Sequence, residues 1–301
     1  MRAIRTTRYG TPDVLEAGEL PVPEPGAGQI RVDVRYAGVG PTDLAIRAGH
    51  LRAAFPLEPG GVLGFEAAGT VGAVGPGVDD VTVGDEVAVF LPKLGGYAES
   101  ALAEFWVPKP ANVSWADAAA LPASGEAAAR VLDLLEPKAG ETLLVLGGAG
   151  AVGRIATRLA VAAGVRVVAA VRRGDFGAVE ELGATPVDYA EPLTDAVRAV
   201  TATVDAVLDA TGRSDLAAAV ALAGGTHRVV TLSDHRGPQL GVTLSGPDPA
   251  HLTERLGRAM TALADGTVTL RPHVERPLAD AAPVHAELER GDLRAKVLLR
   301  P

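Results

Sequence analysis

The stretch LLVLGGAGAVGR, residues 143–154, runs from an apolar segment into a glycine cluster and then into a sequence of helical character. Gly148, Gly150 and Gly153 have the spacing G-x-G-x-x-G. Directly after a strand and at the start of a helix, this spacing allows a tight turn and lets backbone N–H groups approach a pyrophosphate. The helix N-terminus adds partial positive charge. The stretch therefore predicts a dinucleotide-binding turn; the alternative is a glycine-rich turn that binds nothing. A Walker loop is excluded because no Gly-Lys-Ser/Thr sequence follows.

The sequence VVAAVRRGD, residues 167–175, indicates which dinucleotide the turn binds. A chain that uses NAD presents an acidic side chain to the ribose 2′-hydroxyl about 20 residues after the glycine motif. Here the second strand is followed by Arg172 and Arg173, whose guanidinium groups can bind a 2′-phosphate through paired hydrogen bonds. The pattern favours NADPH over NADH. The nearby Asp175 leaves a solvated basic turn as the alternative interpretation.

The period of the apolar residues changes near residue 115 and divides the chain into two regions. Residues 29–38 alternate apolar and polar side chains, and residues 67–90 read as short strands joined by Gly/Pro turns, so the first region is predicted to be a β domain. In the second region helices alternate with buried strands, which predicts βαβ units and a parallel sheet, and hence an α/β fold. The predicted helices are 115–135, 151–164, 177–184 and 249–266, and the predicted strands are 142–147, 165–171, 204–212, 227–233 and 295–299.

Composition excludes several classes of function. The 301 residues carry a net charge of −9, which disfavours nucleic acid as a partner. The chain has no cysteine, so disulfides, thiolate catalysis and thiolate zinc sites are excluded. No apolar run reaches the roughly 18 residues of a membrane span, and the first residues, MRAIRTTRYG, lack the apolar core of a signal peptide. These features predict a cytoplasmic protein with no membrane partner.

From end to end, the chain resembles the zinc-free quinone oxidoreductase branch of the medium-chain dehydrogenase/reductase superfamily. Besides the glycine turn, the resemblance rests on AGVGPTDLAIRAG (37–49), LGFEAAGTVGAVGPGV (63–78), GGYAE (95–99), ELGATPVDY (181–189) and PLADAAPVHAELERGDLRAKVLL (277–299). It implies a GroES-like β domain formed by residues 1–119 and 248–301, and a Rossmann domain with a doubly wound parallel sheet formed by residues 120–247. It also implies a substrate cleft where the two domains meet, and a homodimer paired through the Rossmann domains.

The resemblance also bears on metal binding. Where zinc-dependent relatives carry a Cys and a His as ligands, this chain carries Gly40 and Phe65, and a further Cys ligand is missing. Only Glu66 remains near that position, and the six histidines show no ligand spacing. We therefore expect no metal ion. Without a Lewis acid a simple alcohol or ketone is hard to polarise, so alcohol dehydrogenase activity is disfavoured.

By the same resemblance, particular residues are expected to contact the cofactor and the substrate. The expected cofactor contacts are Gly148, Gly150, Val152 and Gly153 at the pyrophosphate, Arg172 and Arg173 at the 2′-phosphate, Thr211 and Gly212 at the end of a later strand, and Tyr189 near the adenosine phosphate. The expected substrate cleft contains Gly40, Phe65, Tyr97 and Ser124. For both tyrosines, packing in the protein is the alternative role.

The chain departs from the family in LPASGEAAARVL, residues 121–132, where relatives carry L-P-x-x-G-L-T-A and then an aromatic residue. Glu126 replaces the Leu, Ala127 replaces the Thr that helps to hold the nicotinamide, and Ala129 replaces the aromatic residue. The changes are interpreted as drift, as a pocket reshaped for a bulky substrate, or as lost placement of the nicotinamide. In apolar surroundings Glu126 would have a raised pKa and act as an acid, whereas a solvated helix residue is the alternative.

Asp43 is the second catalytic candidate. It is expected to supply a proton in the cleft, and capping of the turn in the PTD sequence is its alternative role. The chain is also short for the family around residues 231–252, where the loop of relatives borders the substrate. A shorter loop is consistent with an open cleft and a large or carrier-bound substrate.

Three functions are compatible with these features. The leading one is hydride transfer from NADPH to a quinone or an α,β-unsaturated carbonyl compound, because such substrates delocalise the incoming charge onto oxygen without a metal. The second is a redox-silent relative that uses the cleft for a cyclisation or an elimination. The third is nucleotide binding without catalysis. The glycine turn and the paired arginines favour the first over the second, and the lack of an unusual tail disfavours the third.

Overall fold

The computed structural model describes residues 1–58 and 60–301. Within them the strands are β1 (Arg2–Thr6), β2 (Leu15–Glu19), β3 (Ile30–Val39), β4 (Gly61–Val62), β5 (Glu66–Val74), β6 (Glu86–Phe90), β7 (Ser100–Ala103), β8 (Phe105–Pro108), β9 (Thr142–Leu146), β10 (Arg166–Val171), β11 (Thr185–Asp188), β12 (Ala206–Asp209), β13 (Val229–Thr231), β14 (Thr243–Leu244), β15 (His273–Pro277) and β16 (Lys296–Arg300). The helices are α1 (Pro41–Arg47), α2 (Trp115–Ala120), α3 (Pro122–Leu135), α4 (Ala151–Ala162), α5 (Phe176–Glu180), α6 (Leu193–Arg198), α7 (Leu216–Ala223), α8 (Leu252–Ala264) and α9 (Ala281–Arg290).

The chain divides into two compact units. The first comprises Met1–Ala123 and Pro272–Pro301, and the second comprises Ser124–Arg271. The sequence predicted boundaries after residues 119 and 247, so the structure differs in assigning residues 120–123 to the first unit and residues 248–271 to the second. Residues 248–271 include helix α8, in which Arg255 and Arg258 both donate hydrogen bonds to Asp133 of α3.

The first unit is built on a largely antiparallel sheet with the strand order β15-β16-β3-β5-β6-β8, in which β7 also pairs with β3. A smaller sheet has the order β2-β1-β4. In β3 the alternating residues Ile30, Val32 and Val34 are buried, as their period of two predicts. The C-terminal strand β16 pairs antiparallel with β3, with Leu298 opposite Gly38, and completes this sheet.

The second unit contains a parallel sheet with the order β11-β10-β9-β12-β13-β14. Counted within the unit, this is the 3-2-1-4-5-6 order of a Rossmann fold. All five residues of β9 are buried, as expected for a central strand between two layers of helices. The predicted doubly wound α/β fold is therefore confirmed. The short helices α6 and α7 were not predicted, because six and eight residues carry little periodic signal.

The loops that follow β9, β10 and β12 leave this sheet at its carboxyl edge. From β9 the chain adds strands in one direction, to β10 and β11, and from the neighbouring β12 it adds them in the other, to β13 and β14. Such a reversal of strand order opens a crevice at the carboxyl ends of the two central strands, where α/β sheets bind ligands. Three of the segments that the sequence analysis assigned to the cofactor follow these three strands, and the fourth, Tyr189, follows the neighbouring β11.

Candidate functional site

The glycine turn lies between the end of β9 and the start of α4. A Cβ atom at Gly148 would lie 2.6 Å from the Cβ of Ala169 in β10, and one at Gly153 would collide with the carbonyl oxygen of Gly147. Both positions therefore require glycine, as the motif predicts. The left-handed residue of the turn is Gly147, at φ +89°, and not Gly148, to which the sequence assigned the tight turn. Gly147 was missed because it precedes the motif.

The start of α4 is suited to an anionic ligand. Gly150 precedes the first turn and has no side chain that could bond the N–H groups of that turn. Val152, the second residue of the helix, is half-buried. The first N–H groups of a helix lack partners within the helix, and the helix carries partial positive charge there. A Cβ atom at Gly148 or Gly153 would collide with neighbouring atoms. The glycine turn therefore fits a pyrophosphate.

Asp209, at the end of β12, shapes the loop beside the glycine turn. One of its oxygens accepts hydrogen bonds from the N–H groups of Thr211 at 3.0 Å and Gly212 at 3.3 Å, and from the Thr211 hydroxyl at 2.8 Å. Its other oxygen accepts from the Thr231 hydroxyl at 2.8 Å. A Cβ atom at Gly147 would lie 2.8 Å from the Thr211 methyl group. Thr211 and Gly212 thus lie beside the turn, held by a buried carboxylate that the sequence analysis did not single out.

Arg172 and Tyr189 meet at the ends of two neighbouring strands. Val171 of β10 pairs with Asp188 of β11, so the residues that follow the two strands are adjacent. The Nε of Arg172 donates a hydrogen bond to the Tyr189 hydroxyl at 3.1 Å. Both side chains are exposed. This arrangement presents a guanidinium and a phenol together to solvent, as a phosphate site requires.

Arg173 is also exposed, but two carboxylates hold its guanidinium. Its Nε donates to Oδ2 of Asp188 at 3.1 Å, and its Nη2 donates to Oε1 of Glu191 at 3.2 Å. The N–H of Ala190 and this guanidinium hold the pKa of Asp188 below its usual value. The sequence treats Arg172 and Arg173 as equivalent, whereas the structure gives them different partners.

Glu126 lies in α3 and is only 1% exposed. Both of its oxygens are bonded to the Nε of Arg130, one turn later, at 3.0 and 3.2 Å, and Nη1 of Arg255 lies 3.9 Å away. Burial raises the pKa of Glu126, and the two guanidinium groups act against this shift. The interpretation of Glu126 as a solvated helix residue is therefore wrong. The acid interpretation assumed apolar neighbours, whereas the structure surrounds the carboxyl with two cations.

The ion pairs of α3 extend to two other elements. Arg130 donates a hydrogen bond from Nη1 to the Ser245 hydroxyl, just after β14, and Arg255 of α8 donates to Asp133 at 2.9 Å. Ser124, Ala127 and Ala129 in the same helix are buried. The departure from the family pattern at residues 125–130 thus coincides with a buried network of charges. The Glu126–Arg130 pair has the i, i+4 spacing that a helix favours, whereas Ser245 is 115 residues from Arg130 and gives no local signal.

Asp43 caps helix α1 in the first unit. Its Oδ2 accepts the N–H of Gly40 at 2.9 Å, and its Oδ1 accepts the N–H of Gly64 at 3.2 Å. Burial raises the pKa of Asp43 to about 7, although these N–H groups and Lys296 favour the charged form. The alternative role, capping of the turn, is confirmed by these bonds. Gly40 is half-buried, and a Cβ atom there would have ordinary space.

Phe65 and Tyr97, both expected in a substrate cleft, are buried. The ring of Phe65 packs edge-to-face against Phe55 and Phe90, with 5.2 Å between ring centroids in each pair. The Tyr97 hydroxyl lies 3.1 Å from Nε2 of His285, and Tyr97 has no exposed surface. Burial lowers the pKa of His285 to about 3, so the imidazole is neutral. The structure thus agrees with the packing interpretation of Tyr97.

Glu66 is bonded to groups of its own unit. Its carboxylate accepts hydrogen bonds from the Lys296 ammonium and, at 2.7 Å, from the N–H of Ala123. A Cβ atom at Gly38 would collide with this carboxylate, so the small residue makes room for the pair. The carboxylate that the sequence analysis noted beside the zinc-ligand position is therefore neutralised by a lysine.

The sequence argues against both a metal site and a membrane span, and the described residues bear on each. Within residues 1–58 and 60–301, no three or more His, Cys, Asp or Glu residues are grouped so that they could hold a metal ion. Among the helices of that part of the chain, none is both long enough and apolar enough to cross a bilayer. Helix α3, with 14 residues, carries the buried charges described above.

Known proteins share this architecture. Residues 26–107 match the family model of the alcohol dehydrogenase GroES-like domain. Over 306 residues the chain is 30% identical to a quinone oxidoreductase of Pseudomonas aeruginosa, which covers 98% of this chain and 90% of that protein. Over 247 residues it is 34% identical to a chloroplastic NADPH-dependent alkenal/one oxidoreductase of Arabidopsis thaliana, which covers 77% of this chain and 62% of that protein.

A solved structure supports the same relationship. The Escherichia coli quinone oxidoreductase, complexed with NADPH, has a TM-score of 0.85 to this chain at 25% identity, with 100% of both chains covered. The Rossmann strand order, the glycine turn and the GroES-like match agree with this likeness. The chain belongs to the quinone oxidoreductase family of the medium-chain dehydrogenase/reductase superfamily.

Proposed function

We propose that this chain uses NADPH to transfer a hydride to a quinone or an α,β-unsaturated carbonyl compound without a metal ion. Membership of the family makes it an oxidoreductase. The observation that carries the proposal is the carboxyl edge of the second unit's sheet, where the glycine turn, the Arg172–Tyr189 pair and the Thr211–Gly212 loop follow four neighbouring strands of one sheet. Relatives named quinone oxidoreductase and alkenal/one oxidoreductase support the choice of acceptors.

The proposed cofactor contacts follow from this edge. Val152 and Gly153 would bind the pyrophosphate through their backbone N–H groups, and Arg172 with Tyr189 would bind the 2′-phosphate. Gly148 and Gly150 would let the pyrophosphate approach the turn closely, since the Gly150 N–H already donates to the Gly147 carbonyl at 2.9 Å. Thr211 and Gly212 would line the crevice beside the turn. When bound, NADPH supplies the hydride. The chain's own contribution is to bind the phosphates and to orient the dinucleotide.

The proposed acceptors need little polarisation by the protein. When hydride adds to a quinone or to the β-carbon of an enone, the negative charge is delocalised onto oxygen, and a proton then completes the reduction. We propose Asp43 as the proton source, because burial raises its pKa to about 7, so that protonated and ionised forms are both populated near neutral pH. Its carboxyl also holds the Gly40 and Gly64 N–H groups, so proton release is coupled to the capping bonds of α1. Glu126 is not assigned this role, since Arg130 holds its carboxyl in an ion pair. The Glu66–Lys296 pair supports metal-free chemistry.

Three further expectations from the sequence stay predictions. They are a cytoplasmic location, a homodimer paired through the Rossmann domains, and a bulky or carrier-bound substrate admitted by the short segment 231–252. Oligomeric state is checked by sedimentation of the purified chain. Substrate size is checked by comparing quinones and enones that carry progressively longer substituents.

The proposal is tested with protein dialysed against a strong zinc chelator. NADPH oxidation is followed at the absorbance band of the reduced nicotinamide with 1,4-benzoquinone and then with a simple enone, and the reaction without protein is subtracted. We expect oxidation with at least one acceptor, unchanged by chelation. Activity that is lost on chelation and restored by zinc contradicts the metal-free reaction. Substrate conversion without NADPH oxidation would favour a cyclisation or an elimination. NADPH binding without turnover would favour nucleotide binding without catalysis.

A further inference from the structure

The two arginines that follow β10 have different partners, although they are adjacent in sequence. Arg172 donates one hydrogen bond, from Nε to the neutral hydroxyl of Tyr189 at 3.1 Å. Arg173 donates from Nε to Asp188 at 3.1 Å and from Nη2 to Glu191 at 3.2 Å. The Arg172 guanidinium is therefore bonded to a neutral group, with Asp175 as a nearby negative charge to which it is not bonded, whereas the Arg173 guanidinium is bonded to two carboxylates.

Backbone hydrogen bonds fix the Asp188 carboxylate and the Glu191 backbone next to Arg173. The Ala190 N–H donates to Oδ1 of Asp188 at 3.0 Å, and the Glu191 N–H donates to the backbone carbonyl of Asp188 at 3.2 Å. Asp188 is the last residue of β11, and its side chain is 13% exposed, against 56% for Glu191. The Asp188 carboxylate is thus part of the turn itself, whereas that of Glu191 extends into solvent.

A phosphate ester at this edge would compete with both carboxylates. It carries about −1.5 to −2 charges near neutral pH and binds guanidinium groups through several oxygens. To bind Arg173, the phosphate must displace Asp188 or Glu191. A carboxylate that is not displaced repels the phosphate. An exposed ion pair contributes roughly a factor of two to five to an equilibrium constant. A phosphate can therefore displace two such pairs, but the displacement lowers its affinity for this edge.

We propose that Asp188 and Glu191 are specificity-determining residues: they occupy Arg173 and so lower the preference for a 2′-phosphorylated dinucleotide, while Arg172 and Tyr189 form the phosphate-binding pair. The inference rests on the proposed use of NADPH. The selectivity for NADPH over NADH is therefore lower than it would be if both arginines were free to bind the 2′-phosphate. Neutralising Asp188 and Glu191 raises this selectivity.

Binding is measured by titrating the protein's fluorescence with NADPH, NADH and 2′,5′-ADP, which carries the 2′-phosphate but no nicotinamide. The variant Asp188→Asn/Glu191→Gln keeps the side-chain sizes and an oxygen for the Ala190 N–H. We expect its affinity for NADPH and 2′,5′-ADP to rise roughly three- to tenfold, and its affinity for NADH to change less than about twofold. Glu254→Gln, which removes one exposed carboxylate from α8, is the matched control and leaves the NADPH to NADH ratio unchanged.

Arginine variants in both backgrounds separate competition from a structural effect. In the unaltered chain Arg172→Ala lowers the affinity for 2′,5′-ADP about tenfold or more, whereas Arg173→Ala lowers it less than about threefold. In the Asp188→Asn/Glu191→Gln chain, Arg173→Ala costs roughly tenfold, because the released guanidinium now binds the phosphate. A purely structural role of the carboxylates would not make the effect of Arg173→Ala depend on the background in this direction.

Equal losses for Arg172→Ala and Arg173→Ala in the unaltered chain would overturn the inference, and so would an unchanged NADPH to NADH ratio in the doubly neutralised chain. Quinone-dependent oxidation of NADPH by the unaltered chain, measured on the same preparation, would then still support the proposed function. If the unaltered chain binds neither NADPH nor 2′,5′-ADP, both are overturned. Circular dichroism of each variant identifies any loss that comes from unfolding.

Discussion

The two polar clusters of this chain use similar residues in opposite ways. In the first unit Asp43, Glu66 and Lys296 are nearly buried, and each is bonded to a group of that unit. At the carboxyl edge of the second unit's sheet, Arg172 and Tyr189 are exposed, and the first turn of α4 has no capping side chain. Buried polar groups must be satisfied by the protein, whereas exposed ones remain available to a ligand. The second unit therefore presents an edge that can bind an anion, whereas in the first unit Lys296 neutralises Glu66 and backbone N–H groups hold Asp43.

The largest expected effect comes from Lys296→Met, which breaks the buried pair and leaves Glu66 without its cation. Removing one partner of a buried ion pair costs about 3–5 kcal/mol in the free energy of unfolding. A urea titration measures the loss. Lys93→Met is the control, because Lys93 is 73% exposed and pairs with Glu104 on the surface, where such a pair is worth about 1 kcal/mol or less. Similar losses for the two variants would contradict the comparison.

Gly153→Ala is expected to have the next largest effect. The added Cβ collides with the Gly147 carbonyl, and overpacking of this kind costs about 1–3 kcal/mol. Because the collision displaces the turn that presents its N–H groups, we expect NADPH affinity to fall about tenfold or more. Gly177→Ala in α5 is the matched control, since its added Cβ meets open space. If fluorescence titration shows that Gly153→Ala binds NADPH as tightly as the unaltered chain, the glycine turn does not bind the pyrophosphate.

Asp43 allows a pH-dependent test of the buried cluster. Its folded pKa of about 7 lies above the ordinary value of 3.8, so the folded state keeps a proton that the unfolded state releases. The stabilisation from this group is complete below about pH 4 and is lost as the pH rises through about 7. Asp43→Asn should remove this loss, as measured by urea titrations across that range.

The difference in the free energy of unfolding between Asp43→Asn and the unaltered chain separates the contribution of Asp43 from that of His285. The folded pKa of His285, about 3, lies below its ordinary value of 6.5, so its contribution rises with pH over that interval and opposes the trend from Asp43. Because His285 is present in both proteins, its contribution cancels in the difference. Parallel pH profiles for the two proteins would show that Asp43 does not titrate in this range.

The smallest expected effect is that of Tyr189→Phe, which removes only the hydroxyl bonded to Arg172. One such hydrogen bond is worth about 0.5–1.5 kcal/mol, so NADPH affinity should fall by up to about tenfold. NADH affinity should stay unchanged, since NADH has no 2′-phosphate. An equal fall for both cofactors in the same titration would place Tyr189 outside the phosphate site.

Local signals in the sequence predicted the fold and much of the proposed cofactor site. The period of two in β3, the buried run of β9 and the glycine motif each depend on neighbouring residues, and the structure agrees with all three. The arginines after β10 were predicted for the same reason. In these cases the physical cause and the pattern lie in one short segment.

The remaining features depend on contacts between distant residues. The pairing of Arg173 with Glu191 and that of Glu126 with Arg255 have no sequence signal, because their partners come from other elements. The sequence left open whether Glu126 is buried or solvated, and it did not predict the cations that surround the buried carboxyl. The roles of such residues depend on tertiary packing and not on spacing.

A single turnover with NADPH-loaded protein tests directly whether this chain transfers a hydride from NADPH to a quinone. One equivalent of 1,4-benzoquinone is mixed with the complex in a stopped-flow instrument, and the absorbance of the reduced nicotinamide is followed, with NADH in a parallel run. We expect NADPH to be oxidised much faster than in the absence of protein, and NADH to require a higher concentration for the same rate. Oxidation of both cofactors at the uncatalysed rate would contradict the proposed use of NADPH.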